Sequence, residues 1–218
     1  MQEQLRKSLS EKELLLREVH HRVKNNLQVI TSLLDLQSRT LSDPESIEKI
    51  RESQDRIRLM LFIHEQLYRT DGLEKVNLQS YIESLTTQIA QSHGDPARSI
   101  RIERRVDDLL LDVDRALACG LIINELVTNA YKQAFPDGTD GEIKVRLQMG
   151  EEGECELEVS DNGRGFSEAA ASERTESLGL TLVSTFVTQL SGRMQNLCSE
   201  EGTVFRLKFP VELRVEAV

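Results

Sequence analysis

Two histidines, His20 and His21, stand side by side in a stretch from Gln2 to about Thr40 that lacks Gly and Pro. An exposed imidazole on a rigid helix can attack a phosphoryl group when one ring nitrogen is free and reachable. At helical spacing His21 shares a stripe with Asn25, Gln28, Ser32 and Asp35, all polar. His20 stands seven residues from Leu27 and leans toward an apolar seam. His21 is therefore the candidate nucleophile and His20 the reserve, and the plainer reading of either is a surface histidine. A second set of residues suits a charged ligand. Within the helical run Asp112–Ala134, Glu125, Asn129 and Lys132 project one way at spacings of three and four. Asn129 offers a neutral oxygen to Mg²⁺, and Lys132 can offset phosphate charge; the plainer reading is a solvated helix face. Further on, Asp161-Asn162-Gly163-Arg164-Gly165-Phe166 follows the strand-like Glu156–Ser160. Asp161 can accept a hydrogen bond from an amino group such as that of adenine, while Gly163 and Gly165 permit tight turning and close backbone approach. Gly179 and Leu180 open a helix whose first N–H groups suit phosphate. Thr203, after Gly202, can hydrogen-bond near the same ligand. Taken singly, these last three read equally as a loop, a helix start and a hairpin turn.

The elements that must position these residues follow from hydrophobic spacing. Leu9, Leu16, Val23 and Ile30 recur at seven-residue steps, with Leu5, Val19 and Leu33 beside them. This predicts a long amphipathic helix, coiled-coil in its first half. Leu41-Ser42-Asp43-Pro44 breaks it; Ser42 or Asp43 caps the next helix, with Pro44 in its first turn. That helix runs from about Glu45 to Arg69, and His64 shares its Ile50/Ile57 stripe as a packed seam histidine. The resulting hairpin leaves apolar surface over, so a homodimer closing a four-helix bundle is expected. Asp71-Gly72 ends this part, giving domains over 1–72 and 73–218. The second reads as helices near 78–91, 112–134 and 178–190 and strands near 99–106, 142–148, 154–160, 193–198 and 203–210. These assemble into an α+β sandwich on a largely antiparallel sheet.

Composition excludes several classes. Of 218 residues, 27 are Lys or Arg and 37 Asp or Glu, for a net charge of −10. An acidic chain is a poor ligand for nucleic acid or an anionic membrane surface. The three cysteines are far apart, with neither metal-ligand spacing nor a disulfide pattern, which suits a reducing, cytoplasmic compartment. No run approaches the ~20 apolar residues that span a bilayer, and the polar N-terminus is not a signal peptide. With no Trp and few aromatics, the core must be built from Leu, Ile and Val.

In this order, the four ligand-binding motifs resemble the ATP site of the GHKL superfamily of histidine kinases, gyrase-type ATPases and Hsp90 chaperones. Asn124-Glu-Leu-Val-Thr-Asn129-Ala-Tyr-Lys132 is similar to its Asn box, Asp161–Gly165 to its first glycine box and Leu178-Gly-Leu180 to its second. The resemblance implies a Bergerat-type α/β sandwich holding ATP under a short lid near Ser167–Ser177. It implies Asn129 as Mg²⁺ ligand, Asp161 on adenine, Lys132 near phosphate and Glu125 as a catalytic or positioning group. The string HHRVKNNLQVITSLLDLQSR, with IHEQLY at Ile63–Tyr68, resembles the second histidine-kinase subfamily, a sister of the HWE kinases. The absent Trp, and Asn124 where HWE kinases carry His, place the chain with the sister group. This resemblance implies ATP-dependent phosphorylation of His21 and transfer to an Asp of a response-regulator receiver domain. Arg22 follows His21 where commoner histidine kinases have an acid, so Glu18 and Asn25 are only positional candidates for the base. The opening heptads imply input from an upstream sensor, in a longer protein or in a partner. Two other readings use the same residues: a phosphotransfer module that hardly uses ATP, and a GHKL serine kinase or anti-sigma-type switch.

Overall fold

In a computed structural model the chain divides into two compact units, Met1–Leu73 and Glu74–Val218. The structure describes residues 2–68, 75–93, 99–135, 139–150, 153–165, 178–199 and 202–211. The side chains of Leu5, Leu9, Leu16, His20, His21 and His64 and the whole of the expected lid lie outside the described residues.

The first unit is a helical hairpin of α1 (Gln2–Ser38) and α2 (Pro44–Tyr68). Asp43 makes the turn: its Oδ2 accepts from the Ser46 amide at 2.9 Å and the Ser46 hydroxyl at 2.5 Å. Asp43 is thus the cap, and Pro44, which has no N–H to lose, begins the helix. Between the helices sits a buried polar side chain, Gln54, whose Nε2 faces the Thr31 carbonyl at 3.5 Å. The opposite side of α1 keeps Val19, Val29, Ile30, Leu33 and Leu36 exposed.

The second unit opens with β1 (Lys75–Asn77) and α3 (Leu78–His93), continues with β2 (Ile100–Val106), β3 (Leu110–Asp112) and α4 (Val113–Gln133), then β4 (Gly141–Met149) and β5 (Glu154–Asp161). It closes with α5 (Leu178–Gln189), β6 (Arg193–Ser199) and β7 (Gly202–Pro210). Five strands form a sheet in the order β2-β4-β5-β7-β6. All neighbours are antiparallel except β2 and β4. Strands β1 and β3 pair in a separate two-stranded ribbon, which the spacing does not predict. Alternation sorts the sheet into two faces. Ile143, Val145, Leu147, Leu157, Leu207 and Phe209 point inward and are fully or almost fully buried under α3, α4 and α5. Each such side chain contributes roughly 2 kcal/mol. The residues between them carry charge and pair across strands, Arg206 with Glu158 and Arg101 with Glu142 among them, both at 2.7 Å. That outer face is therefore solvated, so one layer of helices suffices. The three cysteines are free; Cys119 and Cys155 sit in the core, where burial pushes the Cys155 thiol up to about 12.

Candidate nucleotide site

Three structural decisions build one pocket. The first is the start of α4. Asp112 caps it, accepting from the Arg115 amide at 2.9 Å, and this sets which residues the helix turns inward. Nearly every side chain from Ala116 to Val127 is buried, including Asn124 and Glu125. The plainer reading of a solvated helix face therefore fails for Glu125. The helix runs through the middle of the unit and opens to a ligand only near its C-terminal end.

The second is the pairing of β5 with β7, which sets Asp161 opposite Thr203 and Val159 opposite Phe205. One wall of the pocket thus has a polar end and an apolar stretch. The Asp161 Oδ1 accepts from the Gly163 amide at 3.0 Å. Burial pushes its carboxyl above the ordinary Asp range, against the pull of hydrogen bonds from the Gly163 and Thr203 amides.

The third is the glycine loop. Gly165 has φ +56°, a left-handed conformation, and a Cβ there would strike the Ser199 carbonyl. Gly163 lies against the Ala134 backbone with no room for a Cβ. These glycines are needed for contact with the protein's own backbone as much as for a ligand.

Together these elements enclose a cavity of about 150 Å³ lined by Leu126, Asn129, Ala130, Gln133 and Ala134 of α4 and its cap, Val159, Asp161, Gly165, Leu180, Thr203 and Phe205. Of the sequence candidates, it brings together Asn129, Asp161, Gly165, Leu180 and Thr203. Gly163 and Gly179 are outside the lining, Gly163 in the loop beneath and Gly179 buried at the start of α5. Glu125 is buried one turn before Asn129, and Lys132 is exposed one turn after it; neither lines the cavity. Leu126, Ala130, Gln133, Ala134, Val159 and Phe205 were not among the candidates. The first three were findable: with Asn129 they form an i, i+3, i+4, i+7 stripe, but Leu126 and Ala130 read as core. Among the described residues no group of three or more His, Cys, Asp or Glu could hold a metal. Asn129 alone fits Mg²⁺ only as an ion whose other ligands are phosphate and water.

Comparison with known proteins assigns both units. Residues 18–93 match the family described as histidine kinase, and residues 114–213 the histidine kinase-, DNA gyrase B- and HSP90-like ATPases. The chain belongs to the bacterial sensor histidine kinases. The sensor histidine kinase PdtaS of Mycobacterium tuberculosis is 36% identical to this kinase core over 211 residues, 95% of the chain and 42% of the relative. Blue-light-activated histidine kinase 2 of Erythrobacter litoralis is 26% identical over 90% of the chain and 57% of its own length. The chain thus spans under half of PdtaS. The solved histidine kinase domain of the Erythrobacter litoralis EL346 blue-light activated histidine kinase covers 92% of this chain and 93% of that one. It has the same fold, with a TM-score of 0.64 at 24% identity. The histidine-kinase match runs through α3, although α3 packs with the second unit. Among the described residues no helix is long and apolar enough to cross a membrane.

Proposed function

We propose that this core phosphorylates its own His21 with the γ-phosphoryl group of ATP and passes it to an Asp of a response-regulator receiver domain. The observation that carries the reading is the convergence of Asn129 and Asp161, 32 positions apart in the sequence, on one pocket in a chain that also carries the His21 helix. The Asp161 carboxylate, held by two backbone amides, accepts from the adenine amino group, and Val159, Leu126 and Phe205 give the base an apolar slot. Gly163, Gly165, Gly179, Leu180 and Thr203 shape the binding loop, the start of α5 and the strand end around it. Asn129 donates an oxygen to Mg²⁺, which when bound neutralises phosphate charge and aligns the γ-phosphoryl group. Lys132, exposed beyond Asn129, offsets phosphate charge at the pocket mouth. Glu125, buried one turn earlier, acts as a positioning group on α4. At His21 a ring nitrogen forms the N–P bond as the bond from phosphorus to the β,γ-bridging oxygen breaks; ADP leaves with that electron pair, and the imidazole releases its proton.

In this reading residues 1–72 are the dimerisation and phosphotransfer domain and 73–218 the ATP-binding domain. A homodimer forms through the exposed side of α1, an upstream sensor domain or protein supplies the input, and the core works in the cytoplasm. The match of residues 18–93 to histidine kinases speaks against a serine kinase or anti-sigma-type switch. The pocket speaks against a phosphotransfer module that does without ATP.

The test is incorporation of γ-labelled phosphate from Mg·ATP into wild type, His21→Gln and His20→Gln. Acid-labile label that disappears only with His21→Gln is the expected result. Label that survives His21→Gln, or that resists acid as phosphoserine does, overturns it.

A further inference from the structure

Helix α4 ends at the pocket, and its final carbonyls are capped from the glycine loop. The Arg164 amide donates to the Ala134 carbonyl at 2.9 Å, and Arg164 Nε donates to the Gln133 carbonyl at 3.0 Å. A helix leaves its last carbonyls without intrahelical partners, and a cation placed there meets the negative end of the helix dipole. One residue, 31 positions along the chain from Gln133, satisfies two of those groups.

The loop holding Arg164 is fastened on its other side too. Asn162 Oδ1 accepts from the Glu142 amide at 2.7 Å, and the Asn162 amide donates to the Glu142 carbonyl at 3.2 Å. Gly163 rests on the Ala134 backbone. Gln133 and Ala134 belong to one wall of the pocket, Asp161 and Gly165 to the other. Arg164 joins the two walls without lining the cavity, and its side chain is exposed.

We propose that Arg164 is a positioning residue for nucleotide recognition. Its guanidinium fixes the α4 wall, which carries Asn129, against the loop wall, which carries Asp161, so that both reach one ligand without rearrangement. This rests on the ATP reading given above. Preorganisation of this kind acts on affinity, because a wall left loose must be ordered when the ligand binds.

The experiment is calorimetric titration of the full chain with ADP for wild type, Arg164→Ala and Arg164→Lys, alongside thermal melts and ATP-dependent labelling. Arg164→Ala should bind ADP about three- to tenfold more weakly, the scale of one exposed charge-assisted hydrogen bond. Its KM for ATP should rise in step, while the rate at saturating ATP falls by less than about twofold. The melting temperature without nucleotide should stay within about 2 °C, as for other surface substitutions. Arg164→Lys should recover most of the affinity, since an ammonium on a flexible stem also reaches a helix-end carbonyl. Wild-type affinity in Arg164→Ala, a melting temperature that collapses with it, or an Arg164→Lys no better than Arg164→Ala would each overturn the proposal. A wild type that binds no ADP would remove the nucleotide reading itself, and this inference with it.

Discussion

In the hairpin Val29, Leu33 and Leu36 are 58%, 56% and 60% exposed, while in the second unit Leu78, Ile82, Ile143 and Phe209 have no exposure at all. Both units bury a few polar side chains, Thr86, Asn124, Glu125 and Thr203 among them in the second. The hairpin keeps Gln54 buried between its helices, whereas the sheet's charged residues sit on its solvent face and pair with one another. A sheet that buries its apolar face under helices and keeps paired charges on the other gives its unit what it needs to fold alone. A pair of helices with an apolar stripe outside is half of a structure. The second copy proposed above is what the stripe lacks, and the comparison predicts that the units respond to substitution independently.

The largest effect is expected from Leu33→Glu combined with Leu36→Glu. Burying each leucine at an interface is worth roughly 2 kcal/mol, and a buried carboxylate adds a penalty. The dimer should weaken by about a thousandfold or more and appear as a monomer in light scattering at micromolar concentration. ADP binding, which belongs to the second unit, should be unchanged. A variant that stays dimeric would show that the stripe is not the interface, and lost ADP binding would show that the units are not independent.

Next is Asp161→Asn, which should separate ligand affinity from stability. Asn has one acceptor oxygen where the carboxylate has two, and the Gly163 and Thr203 amides compete for it. ADP affinity should fall by roughly a hundredfold, the upper range for a hydrogen bond to a charged group. Stability should move the other way. The folded-state pKa of Asp161 is raised, chiefly by burial, so its contribution is present below the unfolded pKa and lost as pH rises through the folded value. At neutral pH the ionised carboxylate therefore costs stability, and Asp161→Asn should melt at or above the wild-type temperature without nucleotide. A lower melting temperature in the variant would mean that the loop needs the charge. Gly165→Ala should act on stability instead. With φ at +56° and the Ser199 carbonyl where a Cβ would stand, it should cost the second unit about 2–4 kcal/mol, read by denaturant melts, and leave the hairpin's helical signal intact.

What was legible in the sequence follows from the range of the interactions. The hairpin, its Asp43 turn and the long helices declare themselves through local spacing and capping. The parallel pairing of β2 with β4 and the β1–β3 ribbon are absent from local pattern, because strands of three residues carry no alternation and partners far along the chain are chosen by packing. The site divides the same way. Asn129 and Asp161 stand out as polar residues at helix and strand positions where apolar ones are the rule. Leu126 and Ala130 are hidden by being ordinary core types, and the glycine loop's reliance on Ala134 and Ser199 is visible only once the chain has folded.

The smallest predicted effect tests the turn that ends α5, where the left-handed residue is not the glycine. A helix that ends in a left-handed turn usually has glycine at that position, and Gly192 stands just past α5. The Gly192 amide does close the motif on the Val187 carbonyl, and the Ser191 amide closes it on Thr188, both at 2.9 Å. The left-handed residue, however, is Ser191, with φ +53°. Gly192 is required for a different reason: a Cβ there would press on Leu207, the Lys208 carbonyl and Phe209 at 2.9 to 3.1 Å. Two adjacent positions thus have separate needs, positive φ and empty space, and glycine meets only the second. Ser191→Gly should meet both and stabilise the second unit by about 0.5–1 kcal/mol, seen as a small rise in its melting midpoint, with no change in the hairpin's oligomeric state. Gly192→Ala should lower the same midpoint. If Ser191→Gly destabilises instead, the serine side chain contributes more there than its backbone strain costs, and the turn is held by more than its two closing hydrogen bonds.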